Sequence, residues 1–197
     1  MTTELKTEKE RMLAGEVYNS RDPELLARYH QARLLLKAFA ETSSAETAQK
    51  QELLSALLGG LGRDVWIEAP FFCDYGKNIF IGNNVFVNYN CVFLDCNRIS
   101  IGDNVLIGPA VQIYTATHPI AAHERIRPGQ GGTAGYLTRA TPVRINNNVW
   151  VGGGAILMPG VEIGENTTIG AGSVVTKSVP ADCFAAGNPC RVVRELK

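Results

Sequence analysis

Two hydrophobic periods divide the chain. From residue 61 aliphatic or similar residues recur every six positions: Leu61, Ile67, Cys73; Ile81, Val87, Phe93; Ile101, Ile107, Ile113; Ile145, Val151, Leu157; Ile163, Ile169, Val175. Glycine often follows the anchor, as in "IGNNVF", "IGDNVL" and "VGGGAI", and the residue four after the anchor is often small or apolar, as at Val85, Val105, Val111, Val149, Ala155 and Val161. A period of six fits neither an amphipathic helix nor a two-faced strand. It is the hexapeptide signature of a parallel β-helix. Each hexapeptide is expected to make one short strand and one turn, and three should close a triangular coil with the anchor pointing inward. The small residue would permit a tight corner, and glycine would adopt the backbone angles required there. Two-residue insertions fall before Ile81 and Ile101, and a larger one separates Ile113 from Ile145. An ordinary β-sandwich would not hold fifteen such anchors in register.

Residues 1–60 follow a different rule. "SRDPELLARYHQARLLLKAFA" carries Leu25, Tyr29, Ala32, Leu36 and Phe39 at steps of four and three, one apolar helical stripe. Asp22 followed by Pro23 marks its start, a side-chain acceptor and then a proline at the first helical position. "SAETAQKQELLSALLGG" reads as a further helix with Gly59 and Gly60 as its stop. The organisation expected is a helical region over 1–60, a β-helix over 61–180 and a tail over 181–197.

The interruption, 114–142, is Gly-rich, polar and aperiodic, and the repeat resumes in register beyond it. It should therefore be a functional loop extruded from one corner of the prism. At its root stands His118 and farther out His123, two of the three histidines. Their spacing would suit a shared metal ion, or a single base beside an uninvolved neighbour. A catalytic zinc requires three protein ligands. Residues 61–117 contain no histidine, and His30 lies in the helical region.

Bulk properties narrow the partners. The 197 residues carry 19 Lys plus Arg and 19 Asp plus Glu, so charge does not point to nucleic acid or an anionic membrane. No apolar run could span a bilayer, and the charged start lacks a signal-peptide core, so a cytoplasmic location is expected. Five cysteines without a CxxC pair read as reduced, mostly buried thiols, with Cys73 on a core position.

"EKERMLAGEVYNSRDPEL", "CDYGKNIFIGNNVFVNYNCVFLD", "IGDNVLIGPAVQIYTATHPI", "INNNVWVGGGAILMPGVEIGENTTIGAGSVVTKSVP" and "AAGNPCRVVREL" resemble maltose and galactoside O-acetyltransferases from about residue 8 to the C-terminus. Only the loop after His118 is poorly matched. The resemblance implies a mainly β fold, a left-handed parallel β-helix with a helical N-terminal region and one long extruded loop. It also implies acetyl transfer from acetyl-CoA to a sugar hydroxyl, no required metal, and a homotrimer with sites between subunits. His118 would be the general base. Asn88 would lie near acceptor and thioester, and Asp74 would bind the acceptor. Ser20 and Cys96 stand where the galactoside enzyme has aspartates, with Asp22 and Asp95 adjacent, so Ser20 and Asp95 become acceptor-side candidates. Gly153 would offer a backbone N–H to the thioester carbonyl. Ala171, Thr176 and Lys177 would meet the pantetheine arm and nucleotide end, Arg191 and Arg194 the phosphates, and Trp150 the same groove.

Three other readings stay open at this level. The γ-class carbonic anhydrases share the implied fold and a His-x4-His spacing. A non-enzymatic β-helix scaffold is a second. An acetyltransferase for a nodulation-type oligosaccharide or an antibiotic is a third.

Overall fold

The computed structural model describes residues 5–128 and 133–197. Residues 129–132 of the expected 114–142 loop, and 1–4 of the expected helical region, lie outside these. From residue 60 the chain winds into a left-handed parallel β-helix with three flat faces. The first face stacks Gly60–Leu61, Ile79–Ile81, Ile99–Ile101, Val143–Ile145 and Glu162–Ile163. The second stacks Val65–Ile67, Val85–Val87, Leu106–Ile107, Trp150–Val151, Thr168–Ile169 and Cys183–Ala186. Arg191–Glu195 returns antiparallel against the last of these. The third face stacks Phe71–Cys73, Cys91–Leu94, Gln112–Tyr114, Ile156–Leu157 and Val174–Val175.

Register explains the sequence spacing. Phe80 pairs with Ser100 twenty residues on, whereas Arg144 pairs with Glu162 eighteen on. The two-residue insertions before Ile81 and Ile101 thus lengthen the early coils. Ser100 pairs with Arg144 across the long interruption, so the coil closes as if the loop were absent. Fourteen of the fifteen anchors are buried, Leu61 in the first coil alone being half-buried. Val85, Val105, Val111, Val149, Ala155 and Val161 are buried as well. They fill the prism beside the anchors, as the alternation of a short strand requires.

The glycines after the anchors serve a different purpose from the one expected. A Cβ on Gly152 would lie 2.5 Å from the Ala171 nitrogen, and one on Gly164 2.3 Å from the Ala181 nitrogen. These glycines let successive coils approach. The left-handed turn falls three residues after the anchor, on Asn84, Asn104, Asn148 and Asn166, with φ of 55–59°. Asparagine tolerates that region. Here its side chains also form a ladder: each amide nitrogen donates to the next oxygen, Asn84 to Asn104, Asn104 to Asn148 and Asn148 to Asn166, at 2.9–3.0 Å. Asn166 donates to Asp182 at 2.8 Å, where an acceptor-only carboxylate ends the chain.

Three helices precede the coil: α1 (Glu8–Leu13), α2 (Pro23–Glu41) and α3 (Thr47–Leu57). Asp22 caps α2 as expected, its carboxylate accepting from the Glu24 amide at 2.9 Å. The capping box of Thr7 and Glu10 that starts α1 was readable in "TEKE" but did not enter the sequence reading. On α2, Leu25, Ala32, Leu36 and Phe39 are buried, while Tyr29 breaks the expected stripe and is 37% exposed. Arg33 lies over its ring at 4.5 Å. Helices α2 and α3 close one end of the main core, which runs from Ala32 to Cys190. A second cluster of Met12, Tyr18, Leu25, Tyr75, Cys96 and Ala140 docks the helical region against the coil.

Candidate functional site

The coil is interrupted after Thr115, at the edge between the third and first faces. An antiparallel ribbon, Ala116–Thr117 with Arg139–Ala140, forms the neck of the loop. His118 follows this ribbon directly. Its Nδ1 lies 2.7 Å from the Leu137 carbonyl oxygen, and its ring meets Tyr136 edge-on, centroids 5.4 Å apart. A carbonyl can only accept, so the neutral ring carries its proton on Nδ1 and leaves Nε2 with a free lone pair. The ring is exposed to solvent. A geometry that fixes tautomer and orientation of an accessible imidazole suits a general base. His123 lies in the short helix α4 (Ala122–Arg125), its side chain 83% exposed.

Beside His118 opens a cleft of about 400 Å³, at the lower end of small-molecule sites. Ser20 and Tyr29 line it from the helical region, Asp74 and Cys96 from the coil edge, and Tyr136 and Thr138 from the returning loop. The Cys96 thiol donates to Asp74 Oδ2 at 3.4 Å, and Tyr18 shares the second core cluster with Cys96. Burial pushes the Cys96 thiol up, and the Asp74 carboxylate pushes it further, so it stays a neutral donor. Burial also raises the Asp74 carboxyl, against the opposing pull of the Cys96 thiol and the Arg33 charge.

Asp95 is placed differently from the expectation of an acceptor ligand. Its side chain is fully buried. Oδ1 accepts the Asp74 and Tyr75 amides at 2.9 and 2.8 Å, and Oδ2 accepts the Asn78 amide at 3.2 Å. It shapes the turn that presents Asp74 and does not face the cleft. Burial pushes its carboxyl up to about 7, against these backbone hydrogen bonds. Asn97, which sequence reasoning missed, performs a similar task two residues on. Its amide nitrogen reaches the carbonyls of Met12, Leu13 and Ala140 at 3.0–3.2 Å, tying α1 to the neck of the loop. Both residues lie in the segment lengthened by the two-residue insertion before Ile101, and that displacement from the six-residue register is the signal that could have marked them.

The donor-side candidates gather elsewhere. Asn88, Gly153 and Ala171 all lie on the edge between the second and third faces, where Asn88, Gly108, Gly152 and Gly170 stack coil on coil. The Asn88 side-chain oxygen accepts the Tyr89 amide at 2.8 Å. Trp150 points outward from the second face, 55% exposed, in register with Thr168, itself paired to Phe184 and then Arg194. Arg191 donates to the Cys190 carbonyl at 2.8 Å. Thr176 and Lys177 are exposed at the far edge of the third face, below Asp74 in the stack. One chain thus brings His118, Asp74 and Ser20 together and sets Asn88, Gly153 and Ala171 across the third face. Among the described residues, no group of three or more His, Cys, Asp or Glu could hold a metal ion, and no helix is long and apolar enough to cross a membrane.

A hexapeptide β-helix with an oriented, accessible histidine at the root of an extruded loop and a cleft beside it defines a class, the hexapeptide-repeat acyltransferases. Residues 11–62 match the maltose acetyltransferase hexapeptide capping motif, and residues 142–177 match the bacterial transferase hexapeptide repeats. Nodulation protein L of Rhizobium meliloti is 47% identical over 187 residues, covering 95% of this chain and 98% of its own. The crystal structure of a maltose O-acetyltransferase from Clostridium difficile 630 superposes with a TM-score of 0.90 at 43% identity, covering 98% of both chains. A galactoside acetyltransferase in complex with coenzyme A gives 0.89 at 34% identity, covering 98% of this chain and 92% of that one. The chain belongs to the maltose and galactoside O-acetyltransferase family. It is an acetyltransferase, and acetyl-CoA is its co-substrate.

Proposed function

We propose that the enzyme transfers acetyl from acetyl-CoA to a hydroxyl of a small sugar of the maltose, glucose or galactoside type, with His118 as general base. The observation that carries this is the His118–Leu137 hydrogen bond beside the cleft, which leaves Nε2 as the free base. Nε2 takes the proton of the acceptor hydroxyl as its oxygen attacks the thioester carbonyl. The tetrahedral intermediate collapses, the C–S bond breaks, and the imidazolium returns the proton to the departing thiolate. No covalent enzyme intermediate is needed when both substrates are bound together. The Gly153 backbone N–H stabilises the oxyanion. Asp74 accepts from an acceptor hydroxyl, and Asn88 meets both substrates. Trp150, Ala171, Thr176 and Lys177 line the coenzyme A groove, and Arg191 and Arg194 take its phosphates.

The separation of the two edges supports a site assembled from two copies. A strand of the third face such as Gln112–Tyr114 spans about 10 Å, which separates the edge bearing Asn88 and Gly153 from the edge bearing His118. Side chains do not bridge that gap, whereas the edges of two adjacent prisms can. The second face offers an apolar outer column for such packing: Trp66, Phe86, Leu106 and Trp150 stand in register, and all but Phe86 are more than 40% exposed. A homotrimer with a site between each pair of subunits satisfies both constraints. A catalytically competent monomer by light scattering would contradict it.

The direct test measures free-thiol release from acetyl-CoA with maltose, glucose, thiogalactosides and aminosugars. We expect release with at least one, and loss of nearly all of it in a folded His118→Ala. Transfer near the wild-type rate by that variant would remove His118 from its role, and no release with any acceptor would sink the reading. A second reading places a nodulation-type oligosaccharide or an antibiotic in the cleft. The 47% identity to nodulation protein L, against 34% to the galactoside acetyltransferase of known structure, favours including such acceptors.

A further inference from the structure

Two sets of polar groups stand out among those that line the cleft. Cys96 and Asp74 are joined by a hydrogen bond from thiol to carboxylate. Ser20 Oγ and Thr138 Oγ1, on the same cleft, are buried and have no hydrogen-bond partner. Thr138 is only 4% exposed, so bulk water does not compensate its hydroxyl. A buried hydroxyl without a partner opposes folding, and two lining one cleft are uncommon.

Backbone contacts hold the two segments that carry these hydroxyls. The Tyr18 amide donates to the Thr138 carbonyl at 3.3 Å, pairing the segment that leads to Ser20 with the returning strand of the loop. Asn19 Oδ1 accepts the Ala134 amide at 3.1 Å and extends the same seam. Thr138 directly follows Leu137, whose carbonyl fixes His118. The Thr138 backbone is thus one peptide unit from the carbonyl that orients His118.

We infer that Thr138, together with Ser20, is a specificity residue that hydrogen-bonds a second hydroxyl of the acceptor while the first faces His118. This rests on the acceptor reading above and deepens it. Each hydroxyl can donate and accept, so the pair suits a neutral polyol and gives no advantage to a charged substituent. A simple alcohol would satisfy the base and leave both hydroxyls unpaired, the arrangement by which a polar site rejects an analogue lacking one group. The enzyme thus selects polyhydroxylated acceptors over monohydroxylated ones of similar size.

The test is Thr138→Val, which keeps the shape and removes the hydroxyl, with Thr138→Ser as the variant that keeps it. Maltose binding is measured by calorimetry without acetyl-CoA, transfer by thiol release with glucose, maltose and cyclohexanol, and melting temperature alongside. We expect Thr138→Val to melt at or above the wild-type temperature and to bind maltose roughly three- to tenfold more weakly, the value of one neutral hydrogen bond. Its KM for acetyl-CoA should not move, and Thr138→Ser should bind nearly as wild type. Unchanged maltose binding in Thr138→Val overturns the inference. A melting temperature lowered by several degrees also does so, because the hydroxyl would then have a structural partner. So does cyclohexanol serving as well as glucose. Wild type that binds maltose in a Thr138-dependent way but transfers acetyl to no acceptor overturns the acetyl-transfer reading and leaves this one standing. Wild type that binds no maltose and acetylates none of the sugars overturns both.

Discussion

Asn97→Ala is the perturbation that best separates the two halves of the site. Asn97 is 4% exposed, and the two protons of its amide are shared among the carbonyls of Met12, Leu13 and Ala140. Its side-chain oxygen also accepts the Arg98 amide at 2.7 Å. Alanine removes about two buried hydrogen bonds' worth of amide donation and strands carbonyls that the packed α1 shields. At about 1–3 kcal/mol for each of two groups left unsatisfied, the loss should be about 2–6 kcal/mol. For a chain of this size that lowers the melting temperature by roughly 5–15 °C. The damage is directional. Tyr18 and Ser20 follow α1 in the chain and lose their anchor to the neck of the loop, while Asn88, Gly153 and Ala171 lie on another edge of the prism. We therefore expect the acceptor KM to rise severalfold while the KM for acetyl-CoA holds. Thermal melting and thiol-release kinetics with each substrate varied in turn give both readouts. A melting temperature within about two degrees of wild type would refute the burial argument. Equal rises in both KM values would refute the separation of the two sides.

Two other outcomes follow from the same geometry. The Asp95 carboxyl, pushed up to about 7 by burial, holds its proton more tightly folded than unfolded. Its contribution to stability should therefore be fully present below about pH 4 and lost as pH rises through about 7. The difference in melting temperature between wild type and Asp95→Asn, scanned from pH 4 to 8, should narrow upward through that window, and a constant difference would refute the shift. Ala110 sits in the left-handed region at φ 56°, where the equivalent residues of neighbouring coils are Asn90, Gly154 and Gly172. Replacing it by asparagine should stabilise by about 0.5–1 kcal/mol in denaturant unfolding, since alanine there costs about 1–2 kcal/mol that asparagine partly avoids. A loss of stability would show that the corner is not strained.

Much of this enzyme could be read from its residues in order. A hexapeptide repeat specifies a β-helix because each short strand must bury its inward side chains against the same column, and the register of fourteen buried anchors leaves no other solution. The helix start at Asp22–Pro23 is equally local, a cap and a preset backbone angle. The place of His118 followed too, since the last anchor before the interruption fixes where the loop leaves the prism. The purpose of the glycines did not follow, because it depends on the backbone of the next coil, eighteen or twenty residues away. Nor did the burial of Asp95, which a one-residue displacement from Cys96 turns from the cleft into the stack of backbone amides. The Cys96–Asp74 hydrogen bond, the Asn97 clamp and the unpaired hydroxyls of Ser20 and Thr138 each join residues that are 20 to more than 100 positions apart. Periodicity records which side of its own strand a residue occupies. Only the folded chain decides which distant atom stands opposite, because hydrogen-bond geometry is set by where three separate segments meet.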